Sequence, residues 1–360
     1  MQPRTDRRRQ WWLPVTAALV LVATGCASDA PQDALQPEGE WSRKTHDLWT
    51  LTFTIAIVVF VLVMGALVFA MIRFRRRSDD DRPKQNHGNT KLELTWTIIP
   101  ALVLAAIAVP TVGTIFDLAD DPVDGALAVE VVGHQFWWEY RYYEDEYTGN
   151  PDDVVFRTAN ELVIPEDREV ALYVTSVDVI HSFWTPRLAG KQDAVPGRTV
   201  LLKIRADDPG QRFMGQCAEY CALSHANMRL ITETMTEGDF QTWWDHQLEQ
   251  VDPAAIPDDA QAGYDLFISP DVGCATCHTI GGIEQAAGVV GPNLTHLQTR
   301  QTFAGSLFEL TPENLHAWVQ NAPGQKPGSY MPAFNGSNEN YADLSSEEVD
   351  QLVAFLMTLE

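Results

Sequence analysis

The chain has 360 residues, 45% hydrophobic and 21% charged, which allows two or three domains of ordinary composition. Its 49 acidic residues against 25 basic ones give a formal charge of -24. That balance excludes a nucleic-acid binder, which needs Lys/Arg patches for phosphates, and leaves plain solubility or cationic partners as its meaning.

The N-terminus reads Arg7-Arg8-Arg9, an apolar run from Trp11 to Ala23, then Thr24-Gly25-Cys26. A basic start, a short apolar stretch and small residues before a cysteine describe a secretory signal over 1–25. The run is too short to span a bilayer comfortably. Cys26 stands where a lipoprotein signal places the lipidated residue, although Ala23 occupies a position where Leu is more usual; ordinary cleavage nearby is the alternative. Residues 26–45 read as a flexible leader rich in Pro, Asp, Gln and Glu.

Two apolar segments follow, about 48–72 and 94–116, and each supplies the ~20 residues a membrane helix needs. Residues 46–118 are therefore expected to form a transmembrane hairpin. Arg73, Arg75, Arg76, Arg77, Arg82, Lys84 and Lys91 lie between the segments, which puts that loop in the cytoplasm and everything after about residue 117 outside.

Over 126–237 the pattern changes to short β-rich runs such as Ala128–Val132, Glu169–Val174 and Arg198–Ile204, punctuated by Gly and Pro. These predict a β-sandwich or barrel, closing 119–250 with a polar helix near 239–250 in which Trp243 and Trp244 pack. Residues 251–260, with Pro253, Pro257, Asp252, Asp258 and Asp259, read as a linker. The segment 261–360 reads as mostly helical. It ends in a helix whose Val349, Leu352, Val353, Leu356 and Leu359 share one apolar face.

Five cysteines do not fit a simple disulfide framework. Residues 217–228 read Cys-Ala-Glu-Tyr-Cys-Ala-Leu-Ser-His-Ala-Asn-Met, so Cys217, Cys221, His225 and Met228 offer a soft donor set that favours copper. One blue-copper centre needs a single cysteine. A second suggests two coppers bridged by both thiolates, each needing a histidine. His225 supplies one, and His181, in Asp178-Val-Ile-His-Ser-Phe-Trp184, is the best candidate for the other. Zinc is the competing metal but has no use for Met228. A Cys217–Cys221 disulfide is the alternative for an exported domain and would leave the His and Met unexplained.

Cys274-Ala-Thr-Cys277-His278 is the C-x-x-C-H signature of covalent haem attachment, both thiols adding to the porphyrin while the imidazole ligates iron. Met331, in the loop Pro327-Gly-Ser-Tyr-Met-Pro332, is the candidate for the opposite ligand. Met357 reads as core, and His296 and His316 are rivals.

The C-x-E-x-C-x-x-x-H-x-x-M loop with its upstream His-Ser resembles the CuA site of cytochrome c oxidase subunit II, over about residues 45–250. Residues 261–360 resemble class I cytochromes c, so the whole resembles the subunit II of a caa-type haem–copper oxidase. The resemblance implies a multidomain membrane protein built from a two-helix transmembrane hairpin, a cupredoxin-like β-sandwich and an all-α class I cytochrome c domain. It also implies that Glu219 gives its backbone carbonyl to a copper and its carboxylate to a magnesium at the subunit I interface. Gly291-Pro-Asn-Leu294 resembles the element whose proline carbonyl orients the haem histidine, which makes Pro292 a candidate. Gly133-His-Gln-Phe-Trp-Trp138 resembles the aromatic stretch that receives electrons from cytochrome c. Phe136 stands there where Trp is common, Trp137 and Trp138 follow, and core packing is the alternative for all three. Lys91-Leu-Glu-Leu-Thr-Trp-Thr-Ile-Ile-Pro100 resembles the start of the second membrane helix. Glu93 falls where the family places an acid at the mouth of a proton channel of subunit I; a solvated helix end is the alternative.

The function implied is a relay. An exported donor, a soluble or membrane cytochrome c or a bc-type complex, reduces the haem, and electrons pass to the copper pair and on to subunit I. There dioxygen becomes water with proton pumping, so this chain is an enzyme subunit without the dioxygen site. Fusion of the haem domain would raise the effective donor concentration. The implied setting is a bacterial cell membrane, crossed more than once, with lipid and the other oxidase subunits as partners, no nucleic acid, and both redox domains on the outer face. The alternatives are the electron-accepting subunit of a copper-containing nitric oxide reductase and a membrane-anchored electron carrier. Quinol oxidase subunits have lost the copper ligands, and nitrous oxide reductase carries a large further domain.

Overall fold

The computed structural model describes residues 30–76, 78, 85 and 87–360. The signal segment with Cys26, and Arg77, Arg82 and Lys84 of the basic loop, lie outside the described residues.

Two long apolar helices come first, α1 (Glu40–Arg73) and α2 (Thr90–Ala119), of 34 and 30 residues. Both are long and apolar enough to cross a membrane. At the helical rise α1 spans about 50 Å, well beyond a ~30 Å hydrocarbon core. It starts eight residues before the apolar run expected from 48, because its polar first turns have another task. Trp41 is buried, the Ser42 N–H donates to the Leu188 carbonyl at 3.2 Å, and Lys44 pairs with Asp117 at 3.3 Å. Lys203 secures the far end of α2. Its ammonium donates to the carbonyls of Asp117 and Asp120 at 3.1 and 2.8 Å and lies 4.3 Å from the Trp41 ring. The hairpin is thus bracketed to the next domain by its polar ends.

That domain packs two five-stranded sheets. The first holds β1 (Leu127–His134), β2 (Trp137–Tyr143), β3 (Val154–Ala159), β5 (Val170–Ser176) and β8 (Val200–Ile204) in the order β3-β2-β1-β5-β8. The second holds β4 (Glu161–Pro165), β6 (His181–Trp184), β7 (Gln192–Ala194), β9 (Arg212–Cys217) and β10 (Arg229–Met235) in the order β4-β10-β9-β6-β7. Val129, Val131, Tyr140, Leu172, Phe183 and Leu230 fill the core between them. β9 ends at Cys217 and β10 begins at Arg229, so the metal-capable loop is the connection between two paired strands. β6 lies beside β9 with Phe183 opposite Cys217, which brings His181 to the same end of the sheet. Helix α3 (Glu237–Gln247) then lays Trp243 and Trp244 against Tyr142 and Phe156 as packing.

The C-terminal domain is built on α4 (Gln261–Ile268), α5 (Cys274–Cys277), α6 (Pro312–Gln325) and α7 (Ser346–Leu356), with a two-stranded ribbon of β11 (Thr302–Phe303) and β12 (Phe308–Glu309). A capping box between Ser345 and Glu348 starts α7. Val349, Leu352, Val353, Leu356 and Leu359 are buried, as their periodicity predicts. The segment 251–260 is not a free tether. The Val251 N–H donates to the Gly281 carbonyl at 3.0 Å, and Val251 and Ile256 pack on the core of this domain. Its apolar residues are the reason, since they find a surface that the prolines and acids alone would not.

Helices α4 and α7 cross so closely at Gly263 that a Cβ there would meet the Gln351 carbonyl oxygen at 1.9 Å. Gly263→Ala is expected to cost about 2 kcal/mol or more through overpacking, read as a lower melting midpoint of this domain. An unchanged midpoint would contradict the crossing.

Candidate metal centre and its neighbouring cavity

The sheet end carrying His181 and the 217–228 loop gathers five side-chain donors and one backbone carbonyl. The Cys217 and Cys221 sulfurs are 3.8 Å apart, and both are buried free thiols. His181 Nδ1 lies 3.9 Å from the Cys217 sulfur, and His225 Nδ1 lies 3.7 Å from that of Cys221. The Met228 Sδ is 3.9 Å from the Cys221 sulfur, and the Glu219 carbonyl oxygen is 3.2 Å from the Cys217 sulfur. Among the described residues, the donor atoms of His181, Cys217 and Cys221 all lie within 4.8 Å of one another. Glu219 is exposed.

The thiols titrate as a pair. The hydrogen bond with Cys221 lowers the Cys217 pKa against the opposing effect of burial, and His181 adds to it. The resulting thiolate, with burial, pushes Cys221 upward. Both can be thiolates together only with a cation between them, and sulfur donors select a soft one. The donor chemistry therefore fits copper.

His181 is fully buried, and its Nε2 lies 2.7 Å from an Asp178 carboxylate oxygen. Asp178 is itself fixed by the N–H groups of Gln135 and Val179 at 2.7 and 2.6 Å. The carboxylate thus keeps the ring proton on Nε2 and turns the Nδ1 lone pair to the sulfurs. Trp138 is fully buried, edge-on to His181 at 5.9 Å and to Phe183 at 5.4 Å. Trp137 stacks on His134 at 4.2 Å. Phe136 is buried beneath the C-terminal domain, where a Cβ on Gly328 would meet its ring at 3.0 Å. Glu93 is exposed in the first turn of α2, at the opposite end of that helix from the sandwich.

A cavity of about 700 Å³ opens beside this centre, lined by Cys274, Cys277, His278 and Met331 with Phe267 and Leu352 as apolar walls. His278 Nδ1 donates to the Pro292 carbonyl at 2.8 Å. Burial pushes the ring pKa down, so it stays neutral with Nε2 free. A Cβ on Gly291 would lie 2.6 Å from the His278 ring, so only glycine lets the 291–294 segment support it. Size, apolar walls, two thiols, a neutral imidazole and a thioether fit a covalently held haem. Met357 does not line the cavity and accepts from Gln298 Nε2 at 3.6 Å. His296 Nδ1 faces the Glu360 carbonyl and His316 Nδ1 faces Asp350, each at 2.7 Å, and neither lines the cavity.

The two sites share a seam. Ser224 Oγ donates to the Pro327 carbonyl at 2.6 Å, and the Tyr330 hydroxyl donates to Gln135 Oε1 at 3.2 Å. Gln135 Nε2 donates in turn to the Cys221 carbonyl at 2.6 Å. The buried Glu161 carboxylate accepts the Thr302 N–H and hydroxyl at 3.0 and 2.7 Å. Sequence reasoning missed Asp178, Gln135 and Glu161. For Asp178 a signal exists, an acid three residues before a candidate ligand.

Asp178→Asn removes the charge that fixes the His181 tautomer. Copper affinity of the chain, measured against a competing chelator, is expected to fall about 10- to 100-fold. An affinity equal to wild type would show that Asp178 does not orient the ring.

Three family profiles match the chain: cytochrome c oxidase subunit II, transmembrane domain, over residues 31–113; cytochrome c oxidase subunit II, periplasmic domain, over 127–235; and cytochrome c over 260–360. Cytochrome c oxidase subunit 2 of Alkalihalophilus pseudofirmus is 35% identical over 348 residues, 95% of either chain. That of Bacillus subtilis is 32% identical over 370 residues, 98% of either chain. The crystal structure of the periplasmic domain of subunit II of cytochrome oxidase from Bradyrhizobium japonicum is 27% identical, covers 35% of this chain and 95% of that one, and has a TM-score of 0.31. The chain belongs to the cytochrome c oxidase subunit II family and carries a cytochrome c domain at its C-terminal end.

Proposed function

We propose that this oxidase subunit holds a binuclear copper centre (CuA) on His181, Cys217, Cys221, His225, Met228 and the Glu219 carbonyl. Cys274, Cys277, His278 and Met331 would hold a covalent haem c in the cavity they line. Bound there, the two groups supply one-electron redox chemistry. The observation that carries the reading is the arrangement of two thiols, two imidazole Nδ1 atoms and a thioether in contacts of 3.7 to 3.9 Å.

The chain's own residues bind and orient. Asp178 and the Pro292 carbonyl each fix one ligand imidazole as a single tautomer. Trp138 and Phe136 exclude water from the space between the sites. Reduction of dioxygen belongs to subunit I, with which a subunit II associates. The proposed domains are the hairpin over 46–118, with the polar first turns of α1 preceding it, the copper domain over 119–250 and the haem domain over 261–360.

The hairpin crosses a bacterial membrane twice in contact with lipid, with the Arg/Lys-rich loop in the cytoplasm and both redox domains outside. The donor is a cytochrome c or a bc-type complex, which meets the haem domain. The exposed Glu219 carboxylate is free to share a magnesium with subunit I, and Glu93 sits where protons enter that subunit. Phe136 and Trp138 lie along the route by which electrons arrive, while Trp137, stacked on His134, borders it.

The intact complex, extracted in mild detergent and fed a reductant, is expected to consume oxygen in a cyanide-sensitive way with little nitric oxide turnover. Rapid nitric oxide consumption with negligible oxygen uptake would assign the catalytic partner to the reductase class. Met228→Leu is expected to shift the near-infrared copper band and leave the haem absorbance unchanged. An unmoved copper band would remove Met228 from the ligand set.

A further inference from the structure

Lys326 follows α6 at the start of the loop that carries Met331, and only 3% of it is exposed. Its Nζ donates to two backbone carbonyls, that of Phe136 in the copper domain and that of Ala304 in the haem domain, both at 2.6 Å. Among the described residues no carboxylate pairs with it, and burial lowers its pKa to about 7. The residue borders the cavity that holds His278 and Met331, while its head group is tightly packed against Gly305. A Cβ on Gly305, whose φ is +78°, would lie 2.7 Å from Nζ, 3.0 Å from the Asn227 carbonyl oxygen and 3.2 Å from that of Phe136. The Gly305 carbonyl also accepts the Arg229 N–H at 3.1 Å, so copper-domain backbone meets it on both sides.

Burying a lysine costs side-chain entropy and desolvation that an apolar residue would avoid. Here the head group satisfies two carbonyls, one from each domain, that no apolar side chain could satisfy. We propose that Lys326 is the latch that fixes the haem domain on the copper domain, holding the Met331 loop and the 217–228 loop in one register. It is a positioning residue, since among the described residues its hydrogen bonds go to backbone carbonyls and not to a candidate ligand. The seam continues from it along 327–330, through Ser224 with Pro327, Gly328 against Phe136 and Leu223, and Tyr330 with Gln135. Its consequence for electron transfer rests on the redox reading of the two sites, whereas the latch itself is a statement about the domain contact.

The test uses the intact oxidase complex, wild type and Lys326→Met, with two mass-spectrometric readouts. In the wild type, pulse acetylation of Lys326 is expected to be at least about tenfold slower than that of the exposed Lys191. In Lys326→Met, amide exchange at Thr302 and Arg229, whose N–H groups donate across the seam, is expected to rise about tenfold or more. Haem absorbance and exchange within α4 and α7 should stay unchanged, which a role confined to folding the haem domain would not allow. Equal labelling of Lys326 and Lys191, or unchanged seam exchange in a variant with intact haem absorbance, would overturn the latch. If the variant does not accumulate, the wild-type labelling decides. Neither readout depends on copper content, so the latch and the redox assignment fail separately.

Discussion

Two buried thiols 3.8 Å apart set the terms for the rest of this molecule. One ionises easily and its thiolate then suppresses the other, so the pair is electrostatically incomplete until a soft cation joins both. Each surrounding feature serves that requirement. β6 and β9 bring His181 beside Cys217, the β9–β10 connection folds His225 and Met228 back toward Cys221, and Asp178 holds His181 in one tautomer. The sandwich core behind, with Trp138 and Phe183, keeps water out and the strand ends rigid.

The same centre also explains why the C-terminal domain sits where it does. Gln135 reaches from Tyr330 to the Cys221 carbonyl, and Ser224 within the metal-capable loop bonds Pro327. The cavity holding His278 and Met331 is therefore walled on one side by Gln135, Phe136 and Asp178 of the copper domain. At the other end of the sandwich, Lys203 and Trp41 join the domain to its membrane hairpin. Haem domain, copper domain and membrane helices form one continuous series of contacts, suited to passing electrons inward to a membrane-embedded partner.

Much of this was legible in the sequence because local spacing carries it. Apolar runs flanked by Arg and Lys announce the hairpin, the 217–228 loop announces a soft-metal site, and C-x-x-C-H announces haem attachment. The heptad-like face of α7 is read directly from Val349, Leu352, Val353 and Leu356. What escaped is long-range. Lys326, in Gln-Lys-Pro-Gly, looks like any solvated loop lysine, and only the docking of residues 136 and 304 buries it. Glu161 likewise reads as a strand-end acid, although it anchors Thr302 across the seam. Phe136 stands out in the sequence only for its aromatic character, while its burial depends on a domain nearly two hundred residues later. The segment 251–260 has a linker's composition, yet Val251 finds the surface around Gly281.

The docked arrangement is tested most directly by following electron transfer from the haem domain to the copper site in the intact complex while solvent viscosity is raised. With the domains held in one register, the rate is expected to stay constant, because no domain has to travel between transfers. A rate that falls in proportion to viscosity would mean that the haem domain swings on its connection, and would contradict the seam as the working state.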